Sequence, residues 1–338
     1  MFFNKRQIIG LDLGASRAKA VLLEQRKGDN SVVVRDYAID RLDEPNLPLE
    51  TQLRRLLRQL RSRCRDCAVS VWPSGSKLRV INGNVEPETV REMRQGIADQ
   101  KKLFHEELKG YLCEYGEISS LTRRKADPSF AVCALPEIEL TRIEKALHTL
   151  GYRIQVVQMA PLAVLNAFAA SQGEQELKRP FVLVDFGRAC MTILGGSAAG
   201  LRMLRRIEFP WGEIPEPLVA VTGNNHSGEN TENAAEEEAL AAIFGEVTDL
   251  LAFELQPLLD FFRNHDDSSH LDQVYISGGL SNHRTVVRRL VERLGLQCVQ
   301  WNPFRHIAAH RRALDNFDLF SELAHLPAAA GAAFQRLA

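Results

Sequence analysis

The chain alternates short apolar blocks with stretches of helical period. Residues 8–13 are an apolar run holding one carboxylate, Asp12; Gly14, Ala15 and Ser16 follow, and 18–23 is apolar again apart from Lys19. That is the pattern of strand, tight turn and strand. A third strand is expected at 31–39. Residues 49–63 place Leu53, Leu56, Leu57 and Leu60 on one helical face, with Arg54, Arg55, Arg58, Arg61 and Arg65 around the rest. Strands at 68–72 and 77–81 precede a polar helix opened by Glu86-Pro87-Glu88 and running to about residue 105, since proline and acids suit a first turn. Strands at 111–118 and 130–135 flank a basic loop at 122–128. A helix at 137–150, a strand at 154–158 and a small-residue helix at 161–170 lead to a polar linker at 172–179.

The second half opens like the first. Residues 181–194 repeat the plan: apolar strand, Asp185, Phe186, Gly187, a short turn and a second apolar strand. A strand at 201–208, a polar loop at 222–233, a helical stretch at 234–262 and a loop at 264–270 follow. The strand 274–280 ends in Ser277-Gly278-Gly279-Leu280 before a helix at 284–294, a short strand at 297–301 and an Ala-rich last helix. Strands alternating with helices in both halves predict two α/β domains around a cleft.

The two D-x-G turns and the late S-G-G carry the candidate chemistry. Gly14 lets backbone approach a ligand, and consecutive N–H groups over Ala15 and Ser16 would form a nest for phosphate oxygens. Asp12 could hold Mg²⁺ through water, because Mg²⁺ usually keeps several waters. One D-x-G is more often a plain turn; the ordered trio is the pattern of the actin-like ATPase fold, whose hairpins grip nucleotide phosphates while the late glycines lie against the adenosine.

Charge and cysteine usage narrow the classes. In 338 residues, 42 Lys and Arg against 43 Asp and Glu give a net charge of −1, so no basic field argues for nucleic acid. No apolar run spans a bilayer and the start lacks a signal-peptide layout, so a cytoplasmic location is expected. Cys64 and Cys67 form a C-x-x-C without a second pair at zinc spacing, and His306 and His310 lack the glutamate of H-E-x-x-H. The Arg-rich helix at 49–63 either lies on anionic lipid or packs its leucines on the sheet; the second is the preferred expectation.

The chain resembles the PilM family, actin-like proteins of type IV pilus assembly related to FtsA. The likeness rests on G-L-D-L-G-A-S-R-A-K-A-V at 10–21, the unit at 150–168, V-L-V-D-F-G at 182–187, I-S-G-G-L at 276–280 and W-N-P-F at 301–304. It implies an α/β, actin-like (ribonuclease H-like) two-domain ATPase fold with an inserted FtsA/PilM-type subdomain. The implied divisions are a first-domain core at 1–72, the insert at 73–150, a return to the first domain at 151–179, and a second domain at 180–338. It further implies a nucleotide-binding scaffold at the inner membrane. Such a scaffold binds the N-terminal cytoplasmic tail of a PilN-like membrane protein and joins pilus motor and platform components, with a homo-oligomer left open.

Carried across, Asp12, Gly14, Ala15, Ser16 and Lys19 match the first phosphate loop, although Lys19 equally suits a solvated strand position. Asp185 and Gly187 match the second loop, with Asp12 and Asp185 as metal-holding carboxylates for Mg²⁺ and ATP. Gly278, Gly279 and Leu280 match the adenosine loop, Gly212 part of a small-residue pair, and Glu236 the acid of the adenosine-side helix. The departures are Arg188, which either reaches the phosphates or closes the loop, and Trp211, bulky where glycine is common. Ala160 stands where hydrolytic relatives place a carboxylate, and Glu213 is the nearest sequence candidate for that role. Slow or absent hydrolysis is therefore expected, against an active ATPase or small-molecule kinase, an FtsA-like filament former, or a pseudo-ATPase.

Overall fold

In the computed structural model, described for residues 6–26, 31–42, 47–81, 88–89, 91–92, 100–118, 129–177, 179–197, 200–209, 234–265, 271–282, 284–310 and 322–337, each D-x-G hairpin seeds a sheet. The first half supplies β1 (Arg6–Leu13), β2 (Arg17–Gln25), β3 (Val32–Arg41), α1 (Leu49–Gln59) and β4 (Asp66–Val71). Next come β5 (Lys77–Ile81), α2 (Gln100–Phe104), β6 (Tyr111–Ile118), β7 (Ser129–Pro136), α3 (Glu137–Thr149), β8 (Arg153–Met159), α4 (Ala160–Ser171) and α5 (Glu174–Leu177). The second half gives β9 (Phe181–Phe186), β10 (Cys190–Ser197), β11 (Gly200–Glu208), α6 (Ala234–His265) and β12 (Gln273–Gly278). It closes with α7 (Arg284–Leu294), β13 (Gln297–Gln300), β14 (Ala308–Ala309) and α8 (Pro327–Leu337).

The sheets run β14-β3-β2-β1-β4-β8 and β11-β10-β9-β12-β13. In both, the first strand pairs antiparallel with the second and parallel with the fourth, and the fifth is parallel at the edge. That duplicated plan is the actin-like arrangement expected from the sequence. The central strands are covered on both faces, which is why they read as nearly unbroken apolar runs. On β1, Ile9 and Leu11 join the leucines of α1 and Ile143, Ala146 and Leu147 of α3. Ile8 points to the other core, with Ala163, Val164 and Phe168 of α4 and the alanines of α8.

Glycine makes the second layer possible. A Cβ on Gly10 would stand 1.9 Å from the Ala329 carbonyl oxygen, and one on Gly331 would stand 1.7 Å from that of Ala163. Strand, α8 and α4 therefore meet backbone to backbone. In the stretch 180–338, β14 pairs with β3 and α8 packs on β1 and α4, so its end belongs physically to the first sheet. Likewise α3, inside 73–150, packs on the first sheet. The described strands of that stretch form a separate sheet, β5-β7-β6, over a small core of Leu103, Phe104, Leu108, Phe130, Val132 and Ala134.

Most expected elements that fall on described residues differ from the structure by a few residues at the ends, but the expected linker at 172–179 holds the short helix α5, and β14 was not expected. The polar helix is described at Gln100–Phe104. The loops expected at 122–128 and 222–233, most of the one at 264–270, and Trp211, Gly212 and Glu213 lie outside the described residues. No helix among the described residues is long and apolar enough to cross a membrane.

Candidate functional site

Both hairpin turns close in the same way: the Gly14 N–H donates to the Arg17 carbonyl at 3.1 Å, and the Gly187 N–H to the Cys190 carbonyl at 2.8 Å. The equivalence continues behind them. Ser70 on β4 is in register with Asp12, and Ser277 on β12 with Asp185. The Ser70 hydroxyl donates to Asp12 Oδ1 at 3.2 Å, and the Ser277 hydroxyl donates to Asp185 Oδ1 at 2.8 Å. Each aspartate is thus held at the end of a central strand by a serine from the neighbouring parallel strand.

On the second strand of each hairpin the halves diverge. Opposite Asp12 stands Lys19, whose ammonium lies 2.8 Å from Asp12 Oδ2; opposite Asp185 stands Thr192. Burial acts to lower the Lys19 pKa, but the charge and hydrogen bond of Asp12, with the charge of Asp185, raise it above its ordinary value. Burial pushes the Asp185 carboxyl up, opposed by Lys19 and the Ser277 hydrogen bond. Its second oxygen has no hydrogen-bond partner among the described residues.

These groups line one cavity of about 120 Å³. Around it the structure brings together Asp12, Gly14, Ala15, Ser16, Lys19, Asp185, Gly187, Arg188, Gly278, Gly279 and Leu280. Gly278 has φ +82°, and a Cβ there would stand 2.0 Å from the Phe186 carbonyl oxygen, so no side chain fits. Its N–H donates to the Ala324 carbonyl at 2.7 Å, which ties the S-G-G loop to the chain entering α8. Gly212 lies outside the described residues, and Glu236 is in the first turn of α6 with its side chain outside them. Ala160, the first residue of α4, presents a methyl group to the cavity.

Several lining residues were not among the sequence candidates, and Thr192, Arg206, His325 and Trp72 bear on the chemistry of the site. Thr192 follows from register alone. Arg206 on β11 stacks over the Trp72 ring at 4.9 Å, joining the two halves across the cavity. Its buried Nε has no hydrogen-bond partner among the described residues. His325 is pushed down to about 3 by burial, helped by the charges of Lys19 and Arg17. Trp72, just past β4, was read only as a strand end. A lone serine within the apolar run 68–72 was the available signal for Ser70.

The residues suit an anion better than a bare cation. Lys19 and Arg206 line the same cavity and could take an anion, and two carboxylates from opposite hairpins could hold a Mg²⁺ that keeps waters and phosphate oxygens as its other ligands. Among the described residues no group of three His, Cys, Asp or Glu side chains could hold a metal alone.

No protein-family model matches the chain, and none of the curated proteins does. The chain is similar to one solved in the PilM-PilN type IV pilus biogenesis complex, with TM-score 0.73, 19% identity and 98% of both chains covered. It is also similar to the activator of the 2-hydroxyisocaproyl-CoA dehydratase from Clostridium difficile with bound ADPNP, at TM-score 0.49 and 10% identity, covering 98% of this chain and 94% of that one. A protein with an actin-like ATPase fold from Bacteroides thetaiotaomicron gives TM-score 0.46 and 10% identity over 89% of this chain and 93% of that one. From the first hairpin to the last helix, the chain has the actin-like ATPase fold in its PilM-like form.

Proposed function

We propose that this chain is a nucleotide-binding scaffold at the inner-membrane platform of a type IV pilus or a related secretion apparatus. On this reading it docks the cytoplasmic N-terminal tail of a PilN-like membrane protein and hydrolyses ATP slowly or not at all. The observation that carries the reading is the match over 98% of both chains to a chain solved in a PilM-PilN complex. The location follows from the partner: the protein would be cytoplasmic and peripheral, held at the membrane by the tail.

Two features support the parts of this reading. A groove of about 790 Å³ runs between β6 and the faces of α4 and α8, lined by Leu112, Ile118, Leu162, Leu165 and Phe334 among others. Strand β6 pairs with β7 and with no other strand among the described residues, so its outer edge suits an added strand. Main-chain hydrogen bonds along such an edge give affinity, and apolar pockets beside it give specificity. In the cleft, Asp12 and Asp185 would hold Mg²⁺ through water while Lys19 and the Gly14–Ser16 turn take the phosphates. The Ala160 methyl cannot polarise an attacking water, which is why turnover is expected to be slow.

A second reading, a scaffold that no longer takes nucleotide, is favoured by the Lys19–Asp12 ion pair already satisfying the first carboxylate. Thermal unfolding with Mg-ATP, with ATP and chelator, and with neither separates the two, since a ligand that binds only the folded state raises Tm by mass action. A Mg-ATP-dependent rise lost in Asp12→Ala supports the first; no rise at millimolar ATP supports the second. For the partner, a labelled PilN-like tail peptide should bind the wild type and fail to bind Leu165→Glu, which fills the groove with charge.

A further inference from the structure

We propose that a second anion site, separate from the cleft, lies at the C-terminal end of α1 and takes a phosphate group. A cavity of about 440 Å³ there is lined by Arg54, Arg58, Arg61, Arg65 and Tyr152. It sits at the far end of β4 from the nucleotide cleft: Arg65 precedes the strand, whereas Ser70 near its other end holds Asp12. Five strand residues at roughly 3.3 Å each separate the two sites by about 17 Å.

Helix α1 cannot lay an apolar face on a bilayer, because Leu53, Leu56, Leu57 and Leu60 are all buried in the core of the first sheet. What it leaves exposed is polar: Thr51, Gln59 and the three arginines Arg54, Arg55 and Arg58. Arg65 is fixed in place: its guanidinium donates to the Tyr152 hydroxyl at 2.8 Å and lies 4.9 Å from that ring's centroid. Arg54 is paired with Glu50. The side chains of Arg58 and Arg61 have no ion pair or hydrogen bond among the described residues. No carboxylate lines the cavity, and neighbouring Asp66 is taken by Arg153 in a two-pronged contact of 2.9 and 3.1 Å.

The backbone gives an independent sign. Arg61 follows the last residue of the α1 cap and has φ +46°. Glycine is the residue favoured at that left-handed position, and any side chain there carries strain. The position keeps an arginine instead. One basic residue in a last turn is accounted for by the helix dipole. Four guanidinium groups around one cavity repel one another and are not. Planar guanidinium forks match phosphate oxygens in geometry and charge, and such hydrogen bonds are among the strong ones.

The phosphate could come from a lipid headgroup or from a soluble phosphoryl compound, and two arms of one experiment distinguish them. The full-length wild type, Arg58→Gln/Arg61→Gln and Arg61→Gly are titrated with pyrophosphate by calorimetry. The same proteins are sedimented in low salt with vesicles of phosphatidylcholine alone or mixed with phosphatidylglycerol. The expected result is a binding component weakened at least tenfold in the double variant, with the response to ATP at the cleft unchanged. Loss confined to the phosphatidylglycerol vesicles assigns the site to headgroups, and loss with pyrophosphate assigns it to soluble phosphate. Arg61→Gly is expected to raise Tm while weakening the same component. The proposal is overturned if the wild type binds neither probe, or if either variant binds as tightly as the wild type.

Discussion

Lys19 and Asp12 face each other across the first hairpin, ammonium to carboxylate at 2.8 Å, with the Ser70 hydroxyl on the other carboxylate oxygen. The first phosphate loop therefore has its own internal counter-ion. Its pseudo-equivalent in the second half has none, since Thr192 stands opposite Asp185. The asymmetry leaves Asp185 with one oxygen that has no hydrogen-bond partner among the described residues, and the charges of Lys19 and Arg206 oppose its burial from farther off.

Breaking that pair should be costly. Lys19→Met is expected to lose about 3 kcal/mol, the lower end of the range for stripping one partner from a buried ion pair. Asp12→Asn in the same chain should recover part of the loss, because no charge is then left alone. A double-mutant cycle by urea unfolding measures this; energies that simply add within about 0.5 kcal/mol would show that the two side chains are not coupled.

Asp185 should make the protein less stable as it ionises. Its folded-state pKa is raised, so its contribution to stability is fully present below the unfolded value and is lost as pH rises through the folded value. Asp185→Asn, which keeps the shape, is expected to raise Tm at pH 7, with the gain shrinking towards the acid side. A Tm series against pH checks it; a variant less stable than wild type at pH 7 would mean the Lys19 attraction outweighs the desolvation.

His325 gives the opposite sign. Its folded pKa of about 3 lies below the ordinary 6.5, so the unfolded chain takes up a proton in that window that the folded one refuses. Stability is expected to fall as pH drops from 6.5 towards 3, and His325→Gln should flatten that limb. Because Lys19 and Arg17 help to depress it, a phosphate-bearing ligand in the cleft should raise its pKa. Histidine NMR titration with and without ATP reads this directly, and an unmoved resonance would separate His325 from the phosphates.

The glycines beneath the first sheet allow a steric test. Gly331→Ala would set a methyl group 1.7 Å from the Ala163 carbonyl oxygen and is expected to cost roughly 1–3 kcal/mol or more, as overpacked cores do. Gly116→Ala, with nothing within 4 Å of the added carbon, should be near neutral. Equal Tm shifts in the two variants would remove close packing as the reason for Gly331.

Much of the fold was legible because its signals are local. A carboxylate, a glycine and a short turn between apolar runs mark each hairpin, and Ser277-Gly278-Gly279 marks the third loop. The serines behind the aspartates were not legible, because which parallel strand lies beside β1, and in what register, is a tertiary fact. Arg206, Trp72 and His325 reach the cavity from three elements distant in sequence, and no single window contains them. Helix α8 hid for another reason: buried nearly all round, it has no polar stripe to show which sheet it covers. The Arg-rich helix was ambiguous in sequence, and the structure shows that the core already uses its leucines.

Gly10 lies in β1 and Ala329 in α8, which follows all the described strands in sequence, yet their backbones touch. A nascent chain can form the upper layer of the first sheet early, with α1 and α3 in place. Its lower layer stays open, with Ile8 and the α4 residues Val164 and Phe168 short of their partners, until α8 arrives. Contacts between such distant segments close slowly, and exposed apolar surface meanwhile favours aggregation. Loss of α8 would therefore leave the first sheet with one face uncovered, so a segment some three hundred residues downstream decides whether the first hairpin is held in place.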